Sequence, residues 1–281
     1  MTKALRRFIV MATEKAFRFA RDLMCERLNG KSAFVTGAGQ GIGRGIAEQL
    51  AAQGASLTIA EISAETGNAT ADALRQAGRD AIFAPVDVRS EHSIKAGIAA
   101  HLGRFGRLDI LVNNAGANQH YDASTMSVDE WEASLSLNLR GAWLCCKHAL
   151  PLMARQGSGV IINIASVHAT MTAYNFFPYN VAKSGILGLT RSLALDWGHK
   201  NIRAIAVSPG WVGTKPVLDH FAGADDPAAE IERVNNLHPL KRIGTPENVG
   251  DLVAFLASDA ASYITGTEIV IDGGISARYA D

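Results

Sequence analysis

The sequence predicts an α/β fold in which helices cover both faces of a doubly wound parallel sheet. Short apolar runs alternate with longer helical patterns from Lys31 onward in the 281-residue chain, and such alternation is typical of parallel crossovers. The runs are continuously apolar, as expected of strands that helices cover on both sides. The first run leads directly into a glycine-rich turn and a helix, which is the usual start of a nucleotide-binding sheet.

Strands and helices alternate regularly along most of the chain. Seven apolar or β-branched runs are predicted as strands, at residues 32–36, 56–60, 81–86, 109–112, 160–165, 203–207 and 268–271. Apolar residues at helical spacing predict helices at residues 41–53, 64–77, 91–102, 128–155, 179–197 and 246–258. Residues 211–240 have only short apolar groups, and we expect a substrate loop there. This order predicts a Rossmann fold of about seven strands within one catalytic domain, residues 31–281.

The composition excludes several classes of protein. Lys plus Arg and Asp plus Glu both number 27, so no overall field attracts nucleic acid or an anionic membrane to the core. Cys25, Cys145 and Cys146 do not form a disulfide framework, no metal-ligand spacing occurs, and no apolar run reaches the ~18 residues of a membrane span. We therefore expect a cytoplasmic protein without metal that acts on a small molecule.

Residues 1–30 differ in kind from the rest of the chain. Seven Lys or Arg side chains accompany three acidic ones there, and apolar residues recur at helical spacing. The pattern predicts a basic amphipathic extension. It is either dispensable, with translation starting at Met24, or a docking helix or targeting peptide.

A glycine-rich turn between the first strand and the first helix predicts a dinucleotide site. The turn contains Gly37, Gly39, Gln40, Gly41, Ile42 and Gly43. Glycines let backbone N–H groups approach a pyrophosphate at the positive end of a helix. Glu61 ends the second strand, where a carboxylate accepts hydrogen bonds from ribose hydroxyls and repels a 2′-phosphate. Because neither Gln40 nor Ile62 supplies a cation for that phosphate, we expect NAD in preference to NADP.

Further motifs follow this turn. They are Asp87-Val88, Asn113-Asn-Ala-Gly116, Asn138, Ser166, Tyr179-Asn-Val-Ala-Lys183, Pro209-Gly210 with Thr214, and Asp272-Gly-Gly274. With them, residues 31 to about 274 resemble the short-chain dehydrogenase/reductase family. Ala204-Ile205 departs from the Val-Asn usual in that family, which affects local hydrogen bonding rather than the active site.

The resemblance implies how the cofactor is held and how the chain assembles. The implied contacts are Asp87 and Val88 at the adenine, Asn114, Ala115 and Gly116 beside the fourth strand, and Pro209, Gly210, Val212 and Thr214 near the nicotinamide carboxamide. The backbone of Val212 and the hydroxyl of Thr214 would bind that carboxamide. The family also implies a homotetramer that pairs the long helical patterns 128–155 and 179–197.

Tyr179 is the candidate acid/base. A phenol with a reference pKa of about 10 is a poor base at neutral pH. Lys183 lies four residues later, on the same face of a helix, where its ammonium can lower the pKa of the phenol. By resemblance, Lys183 also contacts the cofactor ribose, Ser166 holds the substrate oxygen, and Asn138 holds a water in a proton relay. This set predicts hydride transfer between nicotinamide and a secondary alcohol, carbonyl or hemiacetal carbon.

Four residues are the candidates for substrate contact, namely Asn118, His168, Phe177 and Trp211. Their mixture of polar and aromatic groups favours a sugar, sugar acid or polyol over a lipid, because a lipid leaves buried polar groups unpaired. The resemblance to relatives that act on aldoses points the same way. Two alternatives stay open, an NADPH-dependent reductase of 3-oxoacyl thioesters and a dinucleotide sensor without catalytic activity.

Overall fold

Seven parallel strands form the central sheet of the computed structural model, which describes residues 27–278. The strands are β1 (Ser32–Thr36), β2 (Ser56–Glu61), β3 (Ala81–Pro85), β4 (Ile110–Asn113), β6 (Gly159–Ile164), β8 (Ile202–Pro209) and β9 (Glu268–Ile271). Their spatial order is β3-β2-β1-β4-β6-β8-β9. Two short strands, β5 (His120–Tyr121) and β7 (Phe177–Pro178), pair antiparallel in a separate ribbon. The predicted seven-stranded Rossmann fold is confirmed, whereas the predicted amphipathic extension lies, up to residue 26, outside the described residues.

Helices cover both faces of the sheet. They are α1 (Gly41–Ala52), α2 (Ala64–Gln76), α3 (Glu91–Phe105), α4 (Val128–Leu135), α5 (Gly141–Gln156), α6 (Tyr179–Trp197), α7 (Lys215–Ala222), α8 (Pro227–Leu237) and α9 (Pro246–Ala257). On one face α1 and α9 cover the sheet with Ile46, Leu50, Val249 and Val253. On the other face α3 and α5 bury residues such as Ile94 and Leu144. Two apolar layers on one sheet explain why the strands lack polar alternation.

The predicted helix at 128–155 is not uniform. A π-helical segment, Ser136–Arg140, separates α4 from α5. Its carbonyls bond one residue further along than in an α-helix, so the segment contains one extra residue per turn. Asn138 lies at its centre and is buried. Hydrophobic spacing alone predicted a continuous helix through this asparagine.

The predicted substrate loop contains two helices. Residues 211–240 include α7 and α8, and a proline occupies the first turn of each. The Asp226 side chain accepts a hydrogen bond from the N–H of Ala229 and caps α8. Each helix buries little of its surface, with Phe221 and Val234 as their buried residues. Such short helices leave only a weak apolar repeat, and for this reason the sequence predicted a loop here.

The reversal in strand order lies beside β1, which pairs with β2 on one side and β4 on the other. In open parallel sheets ligands bind at the carboxyl ends of the strands next to such a reversal. The glycine-rich turn follows β1, and the Asn114 and Ser166 motifs follow β4 and β6. The topology therefore brings these three predicted motifs to one edge of the sheet.

A buried histidine at the opposite end of the sheet makes stability dependent on pH. His101 on α3 is fully buried, and its Nε2 donates to the Arg107 carbonyl at 2.8 Å, which leaves Nδ1 to accept from the Thr58 hydroxyl at 2.8 Å. The neutral ring is therefore satisfied. Burial lowers the pKa of His101 from 6.5 to about 4.

Below pH 6.5 the unfolded chain binds a proton that the folded protein accepts only near pH 4. We expect the free energy of unfolding to fall over this interval by about 3 kcal/mol, since one pKa unit corresponds to about 1.4 kcal/mol. In urea denaturation across this pH range, the free energy of unfolding should change less with pH for His101→Gln than for the exposed control His92→Gln. Equal slopes for the two variants would contradict the assignment.

Candidate active site

The glycine-rich turn is built for close approach of a ligand to the backbone. Gly37 and Gly41 have φ values of +61° and +55°, which glycine adopts without strain. A Cβ on Gly43 would overlap the Gly37 carbonyl oxygen and Asn114 Nδ2. Helix α1 begins after Gln40 without a side-chain cap and without an acidic residue in its first turn. Its free N–H groups therefore fit a phosphate.

The Glu61 carboxylate is fixed beside this turn. Its Oε2 accepts from the N–H of Gly39 at 3.0 Å, and its Oε1 accepts from the N–H groups of Ile62 and Ser63 at 2.9 and 3.2 Å. The neighbouring Thr66 hydroxyl is buried and has no hydrogen-bond partner among the described residues. The Ile62 side chain, which is apolar, is 60% exposed. Three backbone N–H groups thus fix the carboxylate, and the exposed neighbour Ile62 is not a cation that could pair with a 2′-phosphate.

Asp87 and Val88 differ in what they offer a ligand. Both carboxylate oxygens of Asp87 accept from Arg89, at 2.9 to 3.2 Å, and this pair lowers the pKa of Asp87. The Val88 side chain is buried, and a Cβ on Gly141 would lie 3.0 Å from it. Of the implied adenine contacts, the Asp87 carboxylate is therefore already paired within the protein.

The turn after β4 connects the cofactor half of the site to the catalytic half. Asn114 Nδ2 donates to the carbonyls of Thr36 and Gly37 at 2.9 and 3.1 Å, so this side chain braces the glycine-rich turn. The Ala115 N–H donates to Thr36 Oγ1 at 3.0 Å. A Cβ on Gly116 would lie 2.8 Å from Asn138 Oδ1 and 3.5 Å from Lys183 Nζ. These distances place Asn138 and Lys183 side by side.

Residues 209–214, far from the glycine-rich turn in sequence, lie beside it in the structure. Pro209 ends β8, and the Gly210 N–H donates to the Ile271 carbonyl at 3.0 Å. Val212 forms a bridge with Gly244. A Cβ on Gly41 would lie 3.3 Å from Thr214 Cγ2. Thr214 is thus brought to the turn that the sequence predicts for the pyrophosphate.

The four candidate catalytic residues come together at the carboxyl end of the sheet. The Ser166 hydroxyl lies near enough to Tyr179, the first residue of α6, to lower its pKa. Lys183 Nζ lies 5.5 Å from the centroid of the Tyr179 ring and donates to the Ile164 carbonyl at 2.8 Å. Asn138 Oδ1 accepts from the Ala117 N–H at 3.0 Å. All four side chains are less than a tenth exposed.

Burial controls the charge of this group. It raises the pKa of Tyr179 to about 12, against the opposite effect of the Ser166 hydrogen bond. It also lowers the pKa of Lys183 to about 8. The Lys183 ammonium donates to the Ile164 carbonyl rather than to the phenol oxygen. The predicted lowering of the phenol pKa by Lys183 stays a prediction.

The candidate substrate residues are not all brought to Tyr179. The His168 ring meets the Tyr179 ring edge to face, with 6.0 Å between centroids. Phe177 packs instead on Trp131 in α4, and its neighbour Phe176 is the residue whose ring lies 6.5 Å from Tyr179. Alternation along this extended segment turns adjacent side chains in opposite directions, and the sequence did not show which of the two faces the site.

Trp211 and Asn118 lie at the rim. The Trp211 ring is parallel to Phe221 of α7, with 6.1 Å between centroids, and it also contacts His220. Asn118 is exposed on the loop after β4. Trp211 thus packs on α7 rather than on Tyr179, and the role of both residues in substrate contact stays a prediction.

The match to a known family model covers most of this architecture. The model is described as enoyl-(acyl carrier protein) reductase, and it matches residues 37–276, from the glycine-rich turn to the last strand. The chain belongs to the short-chain dehydrogenase/reductase family. It is therefore an oxidoreductase, as the fold and the Ser166, Tyr179 and Lys183 cluster indicate.

Characterised relatives and solved structures of the family cover nearly the whole chain. The cis-4-hydroxycyclohexanecarboxylate dehydrogenase of Sinomonas cyclohexanicum is 38% identical over 255 residues, 90% of this chain and 100% of that protein. A crystal structure of a short-chain dehydrogenase/reductase from Burkholderia xenovorans, itself described as putative, is 36% identical with a TM-score of 0.86, covering 91% and 100% of the two chains.

A second structure of the family contains a cofactor. The 7α-hydroxysteroid dehydrogenase complexed with NADH and 7-oxo glycochenodeoxycholic acid is 33% identical, with a TM-score of 0.83 over 89% of this chain and 96% of the other. Within residues 27–278, no helix of this short-chain dehydrogenase/reductase is long and apolar enough to cross a membrane.

Proposed function

We propose that this short-chain dehydrogenase/reductase uses NAD to oxidise a secondary alcohol or hemiacetal carbon, or to reduce the corresponding carbonyl, in a sugar, sugar acid or polyol. The observation that carries the proposal is the Ser166–Tyr179–Lys183 cluster, with Asn138 beside it, at the edge of the sheet where the glycine-rich turn lies. A site for a dinucleotide and a site for proton transfer thus adjoin. NAD bound there would accept or supply the hydride.

The side chains would each perform one step around that transfer. Ser166, next to Tyr179, would hold the reacting oxygen by a hydrogen bond. Tyr179 would exchange a proton with this oxygen, and the neutral phenol of the structure is the form that donates a proton to a carbonyl. Lys183 would bind the ribose and stabilise the phenolate, and Asn138 would hold a water that connects Lys183 to solvent.

The cofactor residues are proposed from their position around the turn. Gly37, Gly39, Gly41 and Gly43 would leave room for the pyrophosphate, with Glu61 at the adenosine ribose and Val88 at the adenine. Val212 and Thr214 would bind the carboxamide, which agrees with the approach of Thr214 to Gly41. Support for a nicotinamide cofactor comes also from the NADH in the hydroxysteroid dehydrogenase structure.

The decisive experiment offers the protein NAD or NADP together with aldoses, sugar acids, alditols and simple secondary alcohols, and follows NADH or NADPH absorbance. NAD-dependent oxidation of a hydroxyl compound supports the proposal. Exclusive NADPH-dependent reduction of 3-oxoacyl thioesters would favour the thioester reductase instead. Tight NAD binding without turnover of any compound would favour a sensor.

Removing the Glu61 charge should relax the choice of cofactor. We expect Glu61→Gln to lower the ratio of kcat/KM for NAD to that for NADP by about tenfold, since about 1.4 kcal/mol of repulsion accounts for a factor of ten. Glu65→Gln, an exposed acid in the first turn of α2, is the matched control. An unchanged ratio in Glu61→Gln would show that another group selects the cofactor.

The assembly is also part of the proposal. Trp143 on α5 and Val181 and Leu195 on α6 are exposed, Leu195 to 83%. Pairing these helices with symmetry mates would cover them and brace the segment that bears Tyr179 and Lys183. Light scattering of the purified protein should give the mass of a tetramer.

A further inference from the structure

Two histidines enclose Phe176 at the mouth of the candidate site. The His168 ring stacks on Phe176, with centroids 3.9 Å apart and an angle of 18°, and the His120 ring meets Phe176 edge to face at 4.7 Å. His168 also contacts Tyr179, at 6.0 Å. We call His120 and His168 the histidine pair. The pair and Phe176 thus form a wall directly beside the candidate acid/base.

Each histidine binds the protein through Nδ1 alone. His120 Nδ1 lies 2.9 Å from the Asn175 carbonyl oxygen, and His168 Nδ1 lies 3.0 Å from Thr172 Oγ1. A carbonyl only accepts, so it assigns the proton of neutral His120 to Nδ1. A hydroxyl both donates and accepts, so Thr172 is compatible with either neutral tautomer of His168. The Nε2 of His120 therefore has a lone pair, and the Nε2 of His168 has either a lone pair or a proton.

These two Nε2 atoms have no hydrogen-bond partner within residues 27–278. His168 is half-buried and His120 is exposed. Burial and the neighbouring His120 lower the pKa of His168, and no carboxylate acts on it. His168 is therefore neutral at neutral pH. A hydroxyl, which both donates and accepts, hydrogen-bonds to Nε2 in either tautomer of the neutral ring, whereas a protonated ring favours a carboxylate.

We propose that the histidine pair recognises a polyhydroxylated substrate, with each Nε2 hydrogen-bonded to a substrate hydroxyl other than the one that reacts. Phe176 forms the apolar surface between the two Nε2 atoms. The inference rests on the proposed function, because it needs Tyr179 to act on a hydroxyl of the same substrate. It names the side chains that would select a sugar or polyol over a simple secondary alcohol.

The test compares a polyol with a simple alcohol in the same enzyme. The readout is the ratio of kcat/KM for the best polyol, from a panel of aldohexoses, aldopentoses, alditols and inositols, to kcat/KM for cyclohexanol. His168→Phe keeps an aromatic ring to stack on Phe176 and removes the Nε2 atom that would hydrogen-bond to the substrate. We expect it to lower the ratio about tenfold, mainly through KM, since one lost hydrogen bond of about 1.4 kcal/mol is a factor of ten.

Two further variants separate recognition from packing. His168→Gln places an amide oxygen near the original Nε2 and should recover part of the ratio. His92→Phe, the same substitution at an exposed histidine on α3, should leave the ratio as in the wild type. If His168→Phe lowers turnover of both substrates equally, the histidine is structural and the inference is overturned.

The pH dependence provides an independent readout. Protonation leaves a histidine ring without an acceptor nitrogen, so the ratio should fall at acid pH. Because the pKa of His168 is lowered by burial and by His120, its part of the fall should come below pH 6.5. The other titratable groups on the packed elements are His120 on β5 and Tyr179 and Lys183 on α6. The last two act on both substrates and cancel in the ratio. His168→Phe should therefore weaken the pH dependence and leave the part that His120 contributes.

Other outcomes distinguish failure of the histidine-pair inference from failure of the proposed function. Oxidation of cyclohexanol or of cis-4-hydroxycyclohexanecarboxylate without oxidation of any polyol would overturn the inference and leave the proposed alcohol chemistry standing. A preference for hydroxycarboxylates that increases at low pH would assign the pair to a carboxylate, which is also contrary to the inference. Absence of turnover with every hydroxyl compound would overturn both.

Discussion

Tyr179→Phe is expected to abolish most of the hydride transfer while NAD still binds. The phenol hydroxyl is the only group removed, and it exchanges a proton with the substrate oxygen in the proposed reaction. Acid/base catalysis by a positioned side chain contributes about 10²- to 10⁴-fold, so we expect kcat to fall by about 10³-fold. The measurement is steady-state NADH production with the best substrate of the wild type.

A matched variant separates this effect from damage to the fold. Tyr174→Phe makes the same change at an almost fully exposed tyrosine five residues earlier, and its kcat should equal that of the wild type. For both variants, the NADH dissociation constant from fluorescence titration and the thermal unfolding midpoint should equal those of the wild type. Retention of a tenth or more of the wild-type kcat in Tyr179→Phe would assign the proton transfer to another group.

Gly43→Ala is expected to weaken cofactor binding more than other small changes in the turn. The added Cβ would overlap the Gly37 carbonyl oxygen and Asn114 Nδ2. The overlap would displace the contacts by which Asn114 holds Thr36 and Gly37. Overpacking of this kind costs about 1 to 3 kcal/mol, so we expect the NAD dissociation constant to rise about 5- to 150-fold. Calorimetric titration with NAD measures it.

The control for this variant is a glycine with open space around it. Gly103 lies in α3, has no positive φ, and a Cβ there would contact nothing within 4 Å. Gly103→Ala should leave NAD binding unchanged and stabilise the helix by about 0.5 to 1 kcal/mol. If Gly43→Ala binds NAD as tightly as Gly103→Ala does, the turn adapts and the proposed phosphate site is wrong.

The sequence predicted the sheet well because its strands are buried on both faces. Each of the seven parallel strands appears as a continuous apolar run, and the structure changes their ends by only one or two residues. The glycine-rich turn was equally clear, since its glycines are required by positive φ angles at Gly37 and Gly41 and by close packing at Gly43. Local backbone demands of this kind are visible in sequence.

Features that depend on distant contacts were less visible. The approach of Thr214 to Gly41 joins segments far apart in the chain. The choice of Phe176 over Phe177 beside Tyr179 depends on the β5–β7 ribbon, whose two-residue strands are too short to form a pattern. Likewise, the high pKa of Tyr179 follows from burial, which the spacing of Tyr179 and Lys183 does not reveal.

The π-helical segment between α4 and α5 has a consequence for how this part of the chain tolerates insertion and deletion. Successive α-helical residues are separated by about 100° around the axis, whereas a π-helical turn spreads nearly the same rotation over one more residue. Loss of one residue from Ser136–Arg140 would therefore be absorbed by a return to α-helical geometry, and Leu144, Cys145 and Met153 of α5 would stay in the core. Loss of one residue from within α5 itself would instead rotate part of its apolar face away from the core. The segment around Asn138 is thus the place where this helix tolerates a change in length.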